Sequence, residues 1–276
     1  MEIRQALAAA CATLGLARLD AQLLLLHALG RPQHDRAWLL AHDGDTLDPA
    51  TETRYRELTR MRAAGTPLAY LTGVREFYGL ELQVDARVLD PRPDTETLVE
   101  WALECIKDLA SPRLIDLGTG SGAIALALKH ARSDARVHAV DASADALAVA
   151  RANAQRLGLE VEFTLGNWLA GVEQHYELIV SNPPYIAEGD PHLEDLGHEP
   201  RLALTSGPDG LDAIRAIIQQ APSHLSPGGW LLLEHGWDQA EAVRALLTRA
   251  GFTNVQSRQD LPGVERCSGG RLPLTH

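Results

Sequence analysis

The hydrophobic positions of this 276-residue chain repeat in two different ways. Up to residue 63 they recur at helical spacing. Ile3, Leu7, Ala10 and Leu14 fall on one helix face, and Leu19, Leu23, Leu26 and Leu29 on another. Gly30-Arg31-Pro32 stops the second helix, and Trp38, Leu39 and Leu40 mark a short third. Asp48 as N-cap and Pro49 in the first helical position open a fourth. From Ala69 to Val88, β-forming residues around Gly73 and Gly79 predict a hairpin. Pro91-Arg92-Pro93 follows, and Asp94 caps a helix running through Leu98, Trp101, Ala102, Cys105 and Ile106.

Beyond residue 94 the pattern alternates. Strands are expected at Arg113–Leu117, Arg136–Asp141, Val161–Leu165, Leu178–Ser181 and Trp230–Glu234, with one near Phe252–Ser257. Helices are expected over 122–131, 143–157, 211–222 and 238–250. Such alternation predicts an α/β fold, a doubly wound and mostly parallel sheet covered on both faces. Three domains result: an N-terminal helical bundle over 1–63 that docks a partner, a β-hairpin linker over 64–93, and an α/β domain over 94–276.

Ligands of such sheets bind at the C-terminal strand ends. Asp116, Asp141, Asn167 and Asn182 stand at four of those ends. Asp116-Leu117-Gly118-Thr119-Gly120-Ser121-Gly122 carries a strand through a glycine loop into a helix, where backbone approaches a ligand closely. Gly118, Gly120 and Ala123 meet the loose dinucleotide pattern. Asp141 lies 21 residues after Gly120, where its carboxylate accepts both ribose hydroxyls of either an NAD-type or an adenosyl cofactor. Asp116 separates the two: a carboxylate there repels a pyrophosphate and suits a cationic amino-acid end. Trp168 offers a ring to lie beside an adenine.

The fourth strand end is Asn182-Pro183-Pro184-Tyr185. Each proline pushes the residue before it into extended backbone, so Asn182 and Pro183 are stiff. The Asn182 side-chain carbonyl and the Pro183 main-chain carbonyl are two fixed acceptors, suited to the two hydrogens of a planar NH₂ group. Tyr185 supplies a flat apolar face for the plane that carries it. Glu199 and Arg201, around Pro200, read as surface charges, with lining of a peptide channel as the other reading.

Composition narrows the class. The net charge of −12 resides entirely in residues 75–276, because residues 1–74 hold eight acidic and eight basic side chains. An acidic body argues against direct, non-specific nucleic-acid binding. Cys11, Cys105 and Cys267 form no CxxC pair and the histidines no HExxH pattern, so no metal site is expected. A cytoplasmic location follows from the cysteine usage. No apolar run approaches the roughly 18 residues that span a bilayer, and Glu2, Arg18 and Asp20 argue against a signal peptide.

Asp116–Gly122, Asp141 and Asn182–Tyr185 resemble the motifs of class I S-adenosylmethionine-dependent methyltransferases acting on amino nitrogens. The fuller likeness is to the peptide chain release factor glutamine methyltransferases. It rests also on Leu71–Phe77, Pro91–Glu96, Val180–Ile186 and Leu231-Leu232-Leu233-Glu234-His235-Gly236. The resemblance implies a Rossmann-like methyltransferase domain over 94–276 and methylation of the side-chain amide of the glutamine in the Gly-Gly-Gln motif of class 1 release factors. That reaction modulates translation termination. S-adenosyl-L-methionine would be the cofactor and S-adenosyl-L-homocysteine the product. Asp116, Gly118, Thr119, Gly120, Ser121, Gly122, Asp141, Trp168 and Asn182 would contact it. Asn182, Pro183, Pro184 and Tyr185 would hold the glutamine, with Asn182, Pro183 and Tyr185 as the catalytic set. Two departures from the family pattern stand out: Asp90, where the family is usually apolar, and the segment Glu265–Arg271, which keeps that pattern only in part. An amino-methyltransferase of nucleic-acid bases uses the same geometry on a flipped base and is the alternative reading. An NAD-dependent oxidoreductase is disfavoured by Asp116.

Overall fold

The computed structural model describes residues 1–274, which divide into two compact units, Met1–Val74 and the chain from Arg75 onward. The division falls inside the stretch expected as a linker.

The first unit contains α1 (Ile3–Leu14), α2 (Arg18–Ala28), α3 (Arg36–Ala41), α4 (Pro49–Ala63) and the short α5 (Leu68–Thr72). Asp48 caps α4 as its sequence suggests, its side chain accepting from the Ala50 and Thr51 amides at 3.0 Å each. The α1 face Ile3, Leu7 and Ala10 is buried. The face expected for α2 is corrected. Leu19 is exposed, and Ala21, Leu24, Leu25 and Ala28 turn inward together with Leu26. Four successive leucines allow several helical stripes, and the small residues Ala21 and Ala28 select the one that packs closely. Tyr55 of α4 is buried against this stripe, donating its hydroxyl to the Ala21 carbonyl at 3.2 Å. Residues 69–72, expected within the hairpin, are helical instead.

The hairpin itself is β1 (Val74–Phe77) and β2 (Leu80–Gln83). Its two-residue turn, Tyr78-Gly79, has φ of 50° and 76°, the left-handed pair that tight hairpins require.

The second unit is built on a seven-stranded sheet. Its strands are β3 (Arg113–Leu117), β4 (Arg136–Asp141), β5 (Glu162–Leu165), β6 (Tyr176–Ser181), β7 (Leu225–Glu234), β8 (Thr253–Gln259) and β9 (Glu265–Arg271). The order is β5-β4-β3-β6-β7-β9-β8. The first five are parallel, and β9 pairs antiparallel with both β7 and β8. Helices α6 (Glu96–Ile106), α7 (Ala123–Ala131), α8 (Ala144–Leu157), α9 (Asp212–Gln220) and α10 (Ala240–Arg249) lie close to the expected spans. Ile115, Leu117, Ile179, Leu231 and Leu233 point to one face, under Ile214, Ile217 and Ile218 of α9 and Val243 and Leu247 of α10. Alternate residues such as Leu114, Leu178 and Leu232 point to the other, where α6 and α7 pack. Strand polarity and helix cover thus agree with the expected doubly wound α/β architecture.

Strand β9 was not expected, because Glu-Arg-Cys-Ser-Gly-Gly-Arg lacks alternating apolar residues. Its glycines explain both facts. A Cβ on Gly269 would lie 2.4 Å from Leu232 Cδ2, 2.7 Å from the Leu231 carbonyl and 3.0 Å from the Trp101 ring. One on Gly270 would lie 2.8 Å from Phe252 Cβ. Helix α6 and the α10–β8 connection press on the strand where side chains would otherwise stand. Gly269→Ala is therefore expected to destabilise the fold by about 1–2 kcal/mol through overpacking, read as a lower denaturation midpoint with unchanged slope.

Candidate active site

Strand β3 ends at Leu117 and the chain turns sharply. The amides of Gly118 and Thr119 both donate to the Val140 carbonyl of neighbouring β4, at 2.8 and 3.0 Å. Gly118, Gly120 and Gly122 have φ of 70°, 55° and 85°, which side-chain-bearing residues rarely adopt. Asp116 lies beneath the turn, buried. Its Oδ2 accepts from Thr119 Oγ1 at 2.6 Å and from the Ala125 amide at 3.3 Å, fastening the loop to the start of α7. Its Oδ1 has no hydrogen-bond partner among the described residues. Burial pushes the carboxyl up to about 7, against the pull of the Thr119 hydroxyl. The folded state therefore holds a proton that the unfolded chain has already released above its ordinary value of 3.8. Stability from this group is lost as pH rises toward 7. Asp116→Asn should reduce the fall in stability between pH 5 and 7 by about 2 kcal/mol, measured by denaturant titration at both pH values.

The loop is pinned from outside by a residue that the sequence did not single out. Asn153 of α8, fully buried, donates to the Ser121 carbonyl at 3.0 Å and exchanges two hydrogen bonds with the Gln83 backbone of β2. Asp141, at the end of β4, accepts from the Gly120 amide through Oδ2 and from the Ser143 amide through Oδ1, both at 2.8 Å. Trp168 has φ of 53°, and its ring lies so close to the loop that a Gly118 Cβ would stand 3.4 Å from Cζ3.

These residues open onto a cavity of about 540 Å³ at the C-terminal strand ends. Gly118, Gly120, Asp141, Trp168, Asn182 and Pro184 line it, with Asn167 beside Trp168. Asp116, Thr119, Ser121, Gly122 and Pro183 are buried and Tyr185 is half-buried, and none of the six lines it. The volume matches a site for a small-molecule cofactor.

At the tip of β6, Ser181 Oγ donates to the Leu117 carbonyl at 2.6 Å, joining the two central strands just before Asn182. Asn182 Nδ2 donates to Thr95 Oγ1 at 3.3 Å. Pro183 is buried, and its carbonyl accepts no hydrogen bond among the described residues. Tyr185 packs against the sheet core, and burial drives its phenol well above the usual range, so it stays neutral. Its carbonyl is fixed by Gln239 Nε2 at 3.0 Å, in a gap kept open because residue 210 is glycine: a Cβ there would meet the Tyr185 oxygen at 2.2 Å.

The segment after Tyr185 returns to the cavity through Pro200, Leu202, Ala203, Thr205 and Ser206. Here the reading of Glu199 as a surface charge is corrected: it is 6% exposed and ion-paired with Arg92, whereas Arg201 is exposed. Arg92 also stands 3.6 Å from Asp90, and Arg75 lies 3.4 Å from the same carboxylate. The departure at position 90 thus has a partner on each side. Burial raises the carboxyls of Asp90 and Glu199, and the arginines oppose that shift. Arg92→Ala should leave two buried carboxylates short of a cation and cost about 1–2 kcal/mol, discounted for the partial exposure of Arg92. A melting curve with and without added cofactor would measure it.

No helix is long and apolar enough to cross a membrane, and no group of three or more His, Cys, Asp or Glu is arranged to hold a metal, among the described residues. Cys11, Cys105 and Cys267 are all free thiols.

The comparisons with known proteins extend along nearly the whole chain. Residues 2–73 match the PrmC N-terminal domain model and residues 95–199 the methyltransferase small domain model. A 16S rRNA N2 methyltransferase of T. thermophilus, solved with AdoMet and guanosine, shares the fold at 20% identity with a TM-score of 0.54, over 72% of this chain and 49% of that one. A release factor glutamine methyltransferase of Bordetella pertussis is 54% identical, covering 94% of this chain and 96% of that protein. One from Xylella fastidiosa is 51% identical over 96% of both. Identity of that extent, across both the helical unit and the sheet, means that the chain belongs to the release factor glutamine methyltransferases.

Proposed function

We propose that this enzyme transfers a methyl group from S-adenosyl-L-methionine to the side-chain amide nitrogen of the glutamine in the Gly-Gly-Gln motif of class 1 peptide chain release factors. The observation that carries the reading is the pair of acceptors at the tip of β6. Asn182 lines the cavity beside the glycine loop, and the adjoining Pro183 carbonyl is unspent by the fold.

The residues present suit the cofactor. Asp141 keeps lone pairs for ribose hydroxyls after binding the loop amides, and Trp168 offers a ring on the same wall. Asp116 Oδ1 is a buried acceptor with nothing to accept, and the glycine loop lets backbone come close. When bound, the cofactor supplies an electrophilic methyl on a sulfonium and departs as S-adenosyl-L-homocysteine.

The chain's own residues do the rest. An amide nitrogen is a poor nucleophile, because its lone pair is delocalised into the carbonyl. Asn182 Oδ1 and the Pro183 carbonyl take its two hydrogens and fix its direction. They also stabilise positive charge as it grows on nitrogen, so no strong base has to act before transfer. The surplus proton leaves afterwards to water. Tyr185 backs the motif from the sheet core.

The test is mass spectrometry of a purified class 1 release factor incubated with this protein and the cofactor. The mass of one methylene should be added to the Gly-Gly-Gln peptide and to no other. Transfer of labelled methyl to an oligonucleotide, with none to the release factor, would overturn the proposal in favour of base methylation.

A further inference from the structure

Asn182 has one side-chain acceptor and two donors, and only the acceptor is useful against a substrate NH₂. An amide turned by half a rotation would present NH₂ to NH₂ and repel. Something must select the productive orientation.

Two buried residues behind the cavity wall have no part in the chemistry described so far. Thr95, 4% exposed, ends the short 3-10 turn Pro93–Thr95 that leads into α6. Glu234, 2% exposed, ends β7, whose Leu233 pairs with Ser181 of β6, so Glu234 and Asn182 are neighbours across adjacent parallel strands. Neither lines the cavity. Thr95 Oγ1 accepts from Asn182 Nδ2 at 3.3 Å. The Glu234 carboxyl lies near enough to both the Thr95 and the Asn182 side chains for each to favour its charged form. It has no ion pair among the described residues, and its Oε2 has no hydrogen-bond partner.

A lone buried carboxylate is expensive and gives a fold nothing that a leucine would not. Placed here it accepts only, so it tolerates the NH₂ end of Asn182 and rejects the carbonyl end. The geometry points to Thr95 and Glu234 as positioning residues: Thr95 holds the NH₂ end of the Asn182 amide, the carboxylate behind favours that orientation, and the amide oxygen is thereby aimed at the substrate nitrogen. The negative charge behind the amide also polarises it, strengthening the oxygen as an acceptor while positive charge develops in front.

Burial pushes the Glu234 carboxyl up to about 7, and the neighbouring Thr95 and Asn182 side chains resist that shift. The charged and titratable groups around it are Asp94 and Arg266, of opposing effect, and Tyr185 and Cys267, which burial keeps protonated. His235, the next residue, is held neutral by burial. A carboxyl that gains a proton as pH falls through neutrality becomes a donor and no longer selects the NH₂ end.

This inference rests on the proposed reaction, so its test has an arm without substrate. In the wild type the Asn182 side-chain amide hydrogens should exchange with water slowly by nitrogen-edited NMR. In Thr95→Val, which keeps the shape, and in Glu234→Gln, which keeps the size, exchange should be faster. In the activity arm, Thr95→Val should lower kcat by about 10- to 100-fold with cofactor Kd within about twofold, and Thr95→Ser should restore it. Glu234→Gln should lower kcat similarly and remove the acid limb of the kcat–pH profile near neutrality. Unchanged amide exchange in both variants would overturn the positioning role, as would wild-type kcat in Thr95→Val or an unchanged pH profile in Glu234→Gln. Failure of the wild type to methylate any release factor would instead strike the proposed reaction and leave the exchange result standing.

Discussion

Asn182→Ala should raise the barrier to methyl transfer by about 2–4 kcal/mol, a loss of roughly 30- to 1000-fold in kcat. A preorganised polar contact that strengthens only as charge develops supplies about that much. Alanine leaves the Pro183 carbonyl in place, so one hydrogen of the substrate amide is still held. The nitrogen is then free to swing about that single bond, and orientation suffers with electrostatics. Because Asn182 also lines the cavity, cofactor Kd should be measured alongside. A rise of less than about threefold there, with the full loss in kcat, assigns the effect to transfer rather than binding. A variant turning over near the wild-type rate would remove Asn182 from the mechanism.

Asp141→Ala should weaken cofactor binding by about 2–4 kcal/mol, since hydrogen bonds to a charged group are worth about 1.5–3 kcal/mol each. Two distinct losses combine. The carboxylate facing the cavity disappears, and so do the acceptors that hold the Gly120 and Ser143 amides at 2.8 Å. Without them the glycine loop gains freedom that ligand binding must take away again. Asp141→Asn retains one acceptor oxygen and should fall between wild type and alanine. Calorimetric titration of S-adenosyl-L-methionine and S-adenosyl-L-homocysteine would read both. An alanine variant that binds within twofold of wild type would show that Asp141 serves the loop alone.

What the sequence disclosed follows from where the information sits. The glycine loop, Asp141 and the Asn-Pro-Pro-Tyr tip are local in the chain. Their stiffness and backbone angles are properties of consecutive residues, so they can be read before any contact is known. The parallel core was legible for the same reason, since strands buried on both faces are apolar along their length. Glu199 was misread because its partner Arg92 lies 107 positions away, and nothing in Glu-Pro-Arg reports a distant cation. Strand β9 was invisible because close packing on a strand removes the side chains by which strands are recognised. Thr95 and Asn153 carry ordinary polar side chains whose roles exist only once β6 or β2 is beside them.

Because β9 lies between β7 and β8, the order of synthesis and the order of pairing differ. Strand β8 therefore has no partner until residues 265–271 insert between it and β7. A chain folded without β9 would carry an open β edge on β7, the kind of surface that pairs with a second chain. The pairing that completes the sheet is thus also the one that closes the open border of β7.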